Sequence, residues 1–579
     1  MAGAERAGRA TLPDRVPVLL AGAVPALVLV FAGWQRRWTT DDAFINYRIV
    51  DQLLAGHGPV YNAGERVEAA TSTLWVALLA LGDIVLPLPL EYVAIALSLP
   101  LVAIGVMAMT VASRRLLGPA AAPGSVWLPA GALVLAALPP VWDFATSGLE
   151  TGLALAWAGL LALGLSRAVD DPESTPAWAL VVAGAAPLVR PDAAITGAAV
   201  LAFVVAGTGR AGGWRPACRQ VLVAGALPVT YQLFRMIYFA SLVPNTALAK
   251  QAGVPHWREG WAYLVDLVAP YALWLPVVPL LLALALVARR LPARAGVAVA
   301  LLPVASVLHV AYLVRAGGDY AHARLLLPPL FTLLAPVAVL PVRRRFVPVV
   351  AAVALAGWTV VCAGFLRVGE ARIVERSLIA DGRGSIVRSI DVAHPVTAED
   401  QGWGRGGPRA DGLQAGAVVV GRTPIAGPAP PELDTPATAQ SGIGVTGYSL
   451  DLDTYLIDRL GLADPLTSRF RLDEPGFIGH EKPIPLAWLS ARVSTEPVDP
   501  SILRDDGLTT PLYESDPDSF EADVDAARTV LACDRLRSLR AATTARLTPG
   551  RAVSNLWRSV TLTRLRVPPA PAEARDDLC

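Results

Sequence analysis

The chain has 579 residues, of which 54% are hydrophobic and only 17% charged, with a formal net charge of +1 and a mean hydropathy of +0.49. Apolarity on this scale excludes an ordinary soluble globular protein and reads as a polytopic α-helical membrane protein. A near-neutral chain without a block of like charges has no field to attract nucleic acid, so no nucleic-acid partner is expected.

At the N-terminus, Arg6, Arg9 and Arg15 precede an apolar run from Val16 to Gly33. No small-residue cleavage site follows and further apolar runs come later, so this run is expected to be a retained anchor rather than a signal peptide. The later candidate spans lie within 72–112 and at 126–141, 148–166, 177–189, 193–207, 220–240, 266–287, 295–314, 325–341 and 346–366. Several fall short of the ~20 residues that a crossing helix needs. Beyond residue 366 the chain turns polar, rich in Gly, Pro and Asp, with no run long enough to span. The expected division is a membrane domain, 1–366, and a soluble domain, 367–579, large enough for its own core.

Basic residues in short loops mark the cytoplasmic side. Arg6, Arg9 and Arg15, then Arg114 and Arg115, Arg210, Arg215 and Arg219, Arg289, Arg290 and Arg294, and Arg343, Arg344 and Arg345 all fall on one side of the expected spans. For this to hold, one of the stretches 72–86 and 92–112 must be short or re-entrant. The expected total is then about 11 spans, with the N-terminus inside and the C-terminal domain outside. Arg36 and Arg37 break the rule, being placed outside beside an acidic site.

The outer loops then hold nearly all the unusual polar residues: 39–71, WDFATSGLET (142–151), RPD (190–192), SLVPNTALAKQ (241–251) and RAGGDYAHAR (315–324). Charged groups at a membrane boundary are costly unless they face a cavity or one another, so five such loops suggest one shared polar site, against the plainer alternative of five solvated loops. In the first loop, Asp41 and Asp42 begin AFINYRIVDQLLAGHG, whose apolar spacing predicts an amphipathic helix on the membrane surface ending at Gly56. Capping by Thr39 or Thr40 and the helix dipole would account for one acid of the pair, but not readily for both.

Two carboxylates at such a boundary suit a divalent cation on a phosphate-bearing substrate, or a general base with an orienting partner. Arg36, Arg37, Arg48, Arg66, Lys250, Arg315 and Arg324 supply cations for a phosphate. Glu150, Arg190, Asp192 and Asn245 join them as candidate substrate-binding residues. In GGDYAHAR, Gly317 and Gly318 permit a tight turn and Asp319, Tyr320, His322 and Arg324 cluster behind it. His322 could equally be an interfacial packing residue. HExxH, CxxC, Walker and GxSxG motifs do not occur, which removes support for zinc hydrolysis, soluble-type nucleotide binding and serine hydrolysis.

The acid pair after the first span, the multispanning body and the external C-terminal domain resemble the GT-C glycosyltransferases. The strings DDAFINYRIVDQLLAGHGPVYNAGERVEAATSTLW, SLVPNTALAK, GGDYAHARLLLP and LIDRLGLADPLTSRF…GFIGHEKPIPLAW are similar to the actinobacterial terminal arabinofuranosyltransferases. The resemblance covers most of the chain. It implies transfer of D-arabinofuranose from decaprenyl-phosphoryl-arabinose to the non-reducing ends of arabinogalactan and lipoarabinomannan arabinan, forming terminal β(1→2) linkages with net retention. It places the protein in the plasma membrane with its active site outside, and makes Asp41 the catalytic carboxylate with Asp42 its neighbour. A transferase of another polyprenyl-phosphate sugar, a transporter, and a non-catalytic assembly or motility factor remain alternatives. Against a transporter, the acids sit at the boundary on one face and no inverted repeat is evident.

The external domain reads as α+β or β-rich. Asp464, His480 and Trp488 could line a carbohydrate-binding face, although Trp488 fits a core position as well. Cys218 falls in a cytoplasmic loop and Cys362 in the last span, whereas Cys533 and Cys579 are both outside, where a disulfide persists; a Cys533–Cys579 bridge is expected.

Overall fold

The computed structural model describes residues 12–250, 253–342, 346–369, 371–403, 418–421, 423–425, 429–430, 433, 435–472, 474, 476–504 and 510–579. Arg6, Arg9 and the 343–345 arginine run lie outside the described residues.

Seventeen α-helices precede residue 367 among the described residues: α1 (Leu12–Gln35), α2 (Asp41–Leu54), α3 (Thr73–Val85), α4 (Leu90–Leu117), α5 (Ala130–Ala137), α6 (Pro139–Phe144), α7 (Thr151–Asp170), α8 (Ala177–Gly184), α9 (Ala186–Val189), α10 (Ala194–Gly212), α11 (Trp214–Tyr238), α12 (Asn245–Ala249), α13 (Trp257–Val268), α14 (Trp274–Ala288), α15 (Ala293–Arg315), α16 (Leu327–Leu334) and α17 (Phe346–Phe365). Among the described residues, five helical segments, containing α4, α7, α10, α11 and α15, are long and apolar enough to cross a membrane, and shorter apolar helices stand beside them. The outward faces of α1, α11 and α15 carry Leu27, Phe31, Leu222, Val229, Val307 and Leu308, exposed as lipid-facing residues would be. The protein is an α-helical membrane protein.

The 72–112 stretch contains one short helix, the 13-residue α3, and one long one, the 28-residue α4. Three other stretches expected as single spans are broken. Residues 126–141 divide into strand β1 (Val126–Leu128), α5 and the start of α6 at Pro139; residues 177–189 divide into α8 and α9; residues 325–341 pass through two 3-10 turns around α16 into strand β2 (Leu340–Val342), which pairs with β1. Pro139, Pro140, Pro187, Pro336 and Pro341 lie at or near these breaks, where each lacks the N–H that a continuing helix would use. At the centre, α4 and α7 cross backbone to backbone. A Cβ at Gly105 would lie 2.6 Å from the Leu155 carbonyl oxygen, and one at Gly159 would collide with the Gly105 carbonyl. Small residues at helix crossings are the usual route to close packing in lipid, where association gains nothing from water exclusion.

After residue 366 come hairpin β3–β4 (Arg372–Val374, Ser377–Ile379), α18 (Gly382–Ile390), β5 (Val418–Val420), β6 (Thr423–Pro424), β7 (Ala437–Gln440), α19 (Val445–Tyr448), β8 (Tyr455–Asp458), α20 (Leu486–Val493), α21 (Pro500–Leu503), α22 (Phe520–Leu531), α23 (Asp534–Thr544), α24 (Pro549–Arg564) and α25 (Pro571–Leu578). The sheet runs β6-β5-β7-β8, with β5, β7 and β8 parallel. The domain is thus α+β with a small sheet rather than β-rich. Trp488 is fully buried in its core against Phe470, so this ring is not on a sugar-binding face. Cys533 and Cys579 form the expected disulfide, Cα to Cα 5.5 Å, while Cys218 and Cys362 are free.

The cores do not divide at residue 367. Ile379, Val396, Ile443, Val445, Tyr448, Leu456 and Ala463 pack with the membrane-domain core, and a second core begins with the sheet and the C-terminal helices. This displaces α2 from its expected place on the membrane surface. Phe44, Tyr47 and Arg48 are buried, and the Tyr448 ring packs on both aromatics at 5.3 and 5.9 Å. Arg48 donates to the carbonyls of Tyr61 (3.0 Å), Gly447 (2.6 Å) and Thr454 (2.9 Å). The polar side of α2 is covered by the 443–454 segment, and its arginine meets peptide oxygens instead of water.

Candidate active site

All five polar loops converge on one cavity of about 230 Å³. Asp42 enters it from the first turn of α2, Glu150 from the loop before α7, Arg190 and Asp192 from the bend between α9 and α10, Lys250 from the end of α12, and Asp319 and Arg324 from the loop after α15. Leu149, Ile45, Tyr312 and Leu313 line the apolar parts.

The 315–324 loop is shaped by backbone. Gly317 and Gly318 adopt φ of +94° and +79°, and a Cβ on Gly318 would collide with the Tyr263 ring. Ala323 is also left-handed, at φ +65°, a strained value for a residue with a Cβ. Across it the side chains of residues 322 and 324 part. Arg324 donates to Asp42 Oδ2 at 2.9 Å and to Asp319 Oδ1 at 3.0 Å, and its guanidinium lies 5.4 Å over the Tyr320 ring. His322 instead contacts the Asp266 carboxylate and, through Nε2, the Tyr271 hydroxyl at 3.1 Å.

On the opposite wall, Arg190 bridges Glu150 and Asp192, the latter at 3.0 Å, and Asp192 Oδ2 also meets His309 Nε2 at 2.9 Å. Among the described residues nothing forms an ion pair with Lys250, although it lies near enough to Asp42 and Glu481 to act on both electrostatically. Ile478, Gly479 and Glu481 complete the wall from the C-terminal domain.

The acid pair is divided. Asp42 faces the cavity, and although burial works against its charge, Arg324, Lys250 and the Tyr320 hydroxyl hold its carboxyl below the usual range. Asp41 turns the other way and accepts from the Val445 N–H at 2.8 Å. Gly444 sits so close that any Cβ there would strike Asp41. Burial, helped by the Asp42 charge, pushes Asp41 up to about 6, against the Val445 and Gly444 N–H groups. The N-cap of α2 is Thr40, whose side chain makes no capping bond. In the pair weighed as a site for a divalent cation, Asp42 Oδ2 accepts from Arg324 and Asp41 Oδ1 from the Val445 N–H, so the two carboxyls are engaged by different partners. Among the described residues no group of three His, Cys, Asp or Glu side chains is placed to hold one.

Several expected substrate contacts lie elsewhere. Arg36 pairs with Asp143 at 2.6 Å, and Arg37 stacks 4.6 Å from the Trp34 ring centre. Arg48 and Arg66 are spent on carbonyls, Arg66 donating to Tyr238 at 3.1 Å and Ala542 at 2.8 Å. Arg315 donates to the Gly253 carbonyl. Asn245 ties α12 to the C-terminal domain, donating to Gly461 O at 2.8 Å and accepting from Ser468 Oγ at 2.9 Å. Asp464 caps the turn at Leu466 and Thr467 and pairs with Arg492. These groups sit where the chain folds against itself, and there the peptide carbonyls and acids satisfy them.

A histidine and an acid that bear on the cavity went unforeseen: His309, which contacts Asp192 from outside the lining, and Glu481, which lines it. His309, in the apolar run of α15, carried a signal, since an ionisable group inside a span is functional by default. Glu481, in GFIGHEKPIPLAW, carried none, because nothing local says that this segment folds back over the membrane domain.

The family model described as the AftB family C-terminal domain matches residues 431–576. The terminal beta-(1->2)-arabinofuranosyltransferase of Mycobacterium tuberculosis (strain ATCC 25618 / H37Rv) is 35% identical, over 96% of each chain. Its namesake from Corynebacterium glutamicum (strain ATCC 13032) is 32% identical, over 83% of this chain and 78% of its own. No solved structure matches significantly. With identity of this order over nearly the whole chain, the protein belongs to the terminal beta-(1->2)-arabinofuranosyltransferase family and is a glycosyltransferase.

Proposed function

We propose that the cavity transfers D-arabinofuranose from decaprenyl-phosphoryl-arabinose to the non-reducing ends of cell-wall arabinan, in arabinogalactan and lipoarabinomannan, forming terminal β(1→2) linkages. The site and the external domain face the extracytoplasmic side of the plasma membrane, and the membrane domain has the GT-C architecture. The observation that carries the chemistry is an ionised carboxylate, Asp42, held by Arg324 within reach of Lys250, a cation with no ion-pair partner among the described residues.

A carboxylate fixed by a guanidinium beside an uncommitted ammonium suits a reaction whose leaving group is a phosphate and whose sugar carbon becomes cationic. The phosphate seats at Lys250, with Arg190 and Arg324 adding to the field. As the bond from the anomeric carbon to the phosphate oxygen breaks, Asp42 stabilises the cationic sugar, a role expected at first of Asp41. The acceptor hydroxyl oxygen then bonds to that carbon, and its proton passes to the departing lipid phosphate. Asp41 shapes the site by fixing the 443–445 segment over α2. The chain's own cations balance the charge, and no step is routed through a metal.

The test is transfer from a polyprenyl-phosphoryl-arabinose to a synthetic arabinoside by purified protein in lipid nanodiscs, with the linkage read by NMR. A β(1→2) product, formed with or without EDTA and lost in Asp42→Asn, is expected. Full activity of Asp42→Asn sinks the assignment, and loss on chelation sinks the metal-free part.

A further inference from the structure

A second cavity, of about 600 Å³, is larger than the catalytic one. Its walls come from α20, α22, α23 and β8 of the external domain and from Glu65 on the α2–α3 connection, so it straddles the seam with the membrane domain. The catalytic mechanism uses none of its residues.

Two chemistries meet in it. Ile457, Leu466, Leu531, Leu536 and Leu539 build an apolar wall, and Arg492, Arg528, Arg537 and Arg540 bring four guanidiniums. Glu65 is the one acid among the described lining residues. Burial and the nearby Asp464 hold its carboxyl above the usual range, which weakens its repulsion of an anion.

The internal ion pairs do not exhaust the donors. Arg492 holds Asp464 through Nη2 at 2.6 Å, and Arg528 holds Asp525 through Nη1 at 3.0 Å. Arg492 Nη1 and Arg528 Nε are buried and have no hydrogen-bond partner among the described residues. Buried guanidinium N–H groups rarely go without an acceptor. Oxyanions fit their fork, and a phosphate fits it best when several converge.

The leucine wall suits a hydrocarbon chain. Tyr455 is the one aromatic ring among the described lining residues, so there is little platform for a neutral sugar to stack on. The cavity also lies at the end of a membrane-length helix. Thr543 on its wall follows Ala542, whose carbonyl accepts from Arg66, and Arg66 in turn holds the carbonyl of Tyr238, the last residue of α11.

From these placements we infer that the cavity binds an amphiphile with a phosphate head, the phosphate at Arg492 and Arg528 and the chain along the leucines. Such an occupant holds the external domain onto the end of α11 and lies apart from the catalytic cavity.

The test uses the full-length protein in detergent. Dioleoylphosphatidylglycerol, the zwitterionic dioleoylphosphatidylcholine, or inorganic phosphate is added, and bound molecules are measured by native mass spectrometry. Phosphatidylglycerol is expected to bind at least about tenfold tighter than phosphatidylcholine or phosphate, and Arg528→Ala/Arg537→Ala to lose about tenfold of that affinity. Both arginines form i,i+3 pairs along their own helices with side chains 26% and 67% exposed, so their removal costs the fold little. Arg528→Ala alone, which removes one of the two guanidiniums assigned to the phosphate, gives the same comparison should the double variant fold poorly. Arg528→Lys/Arg537→Lys should recover part of the binding. Unchanged arabinosyl transfer and elution volume separate the effect from unfolding. Equal lipid retention by wild type and variant, no retention at all, or inorganic phosphate bound as tightly as the lipid each overturns the inference, the last identifying a free-anion site.

Discussion

Two charged clusters flank the 319–324 loop and draw on the same residue types, yet they differ in what they leave unpaired. Arg36, Asp143, Arg383, Asp381, Tyr271 and His322 surround a void of only about 30 Å³. Arg36 is committed to Asp143, Arg383 to the carbonyls of Arg36 (2.8 Å) and Ala393 (2.7 Å), and Asp381 to the Gly384 N–H at the start of α18. The Asp42–Arg324–Asp319 cluster opens onto about 230 Å³ and has Lys250 beside it without an ion pair among the described residues. A closed network of paired charges holds a bundle end together, whereas a network with space and a spare cation can take a charged substrate.

The contrast breaks most sharply on activity. Asp42→Asn should lower transfer by about a thousandfold or more, the scale of losing a group that meets developing charge, with the protein still folded by size-exclusion and circular dichroism. Arg36→Ala should do the reverse. It leaves Asp143 buried without its main partner, which costs about 3 kcal/mol of stability, while kcat/KM per folded molecule stays near wild type; a large loss of kcat/KM would merge the two clusters into one site.

Lys250→Ala should raise KM for the lipid-phosphate donor by about tenfold, with a smaller change in kcat, as expected for one charge-assisted contact of about 1.5 kcal/mol. A pure kcat effect would move Lys250 from holding the phosphate to the bond-breaking step.

The smallest effect is on pH. The folded protein holds the Asp41 proton more tightly than the unfolded chain, with pKa raised from 3.8 to about 6. Below pH 4 both states are protonated and nothing is lost. As pH rises through the interval from about 4 to 6 the unfolded state ionises first, so this group's contribution to stability falls. Asp41→Asn should flatten the slope of Tm against pH in that window, and an unchanged slope would show that Asp41 is not held protonated by its surroundings.

Much of the site was legible because charge is expensive at a membrane boundary. Asp42, Glu150, Arg190, Asp192, Lys250, Asp319 and Arg324 stood out in their loops for that reason, and all seven line one cavity. Arg36, Arg48 and Asn245 stood out by the same rule but are satisfied by Asp143 or by peptide carbonyls hundreds of residues away, which no local pattern reveals. The choice between Asp41 and Asp42 was equally hidden, since adjacent helical residues point about 100° apart and only the packing of α2 under the 443–454 segment fixes which of them faces the void. Span boundaries failed where proline interrupts an apolar run, because hydropathy registers the apolar side chains and is blind to the missing N–H.

By itself the sequence determined the solvent of each region and the covalent and backbone constraints: an apolar body that must satisfy its peptides internally, a polar C-terminal part, paired glycines that turn the chain before Asp319, and two cysteines in the polar part free to join. Tertiary structure alone decided which charges are paired and which are left over. Arg324 reaches Asp42 across 282 residues and Val445 reaches Asp41 across 404, and a charge becomes a functional group only when its distant neighbours leave it both desolvated and incompletely matched.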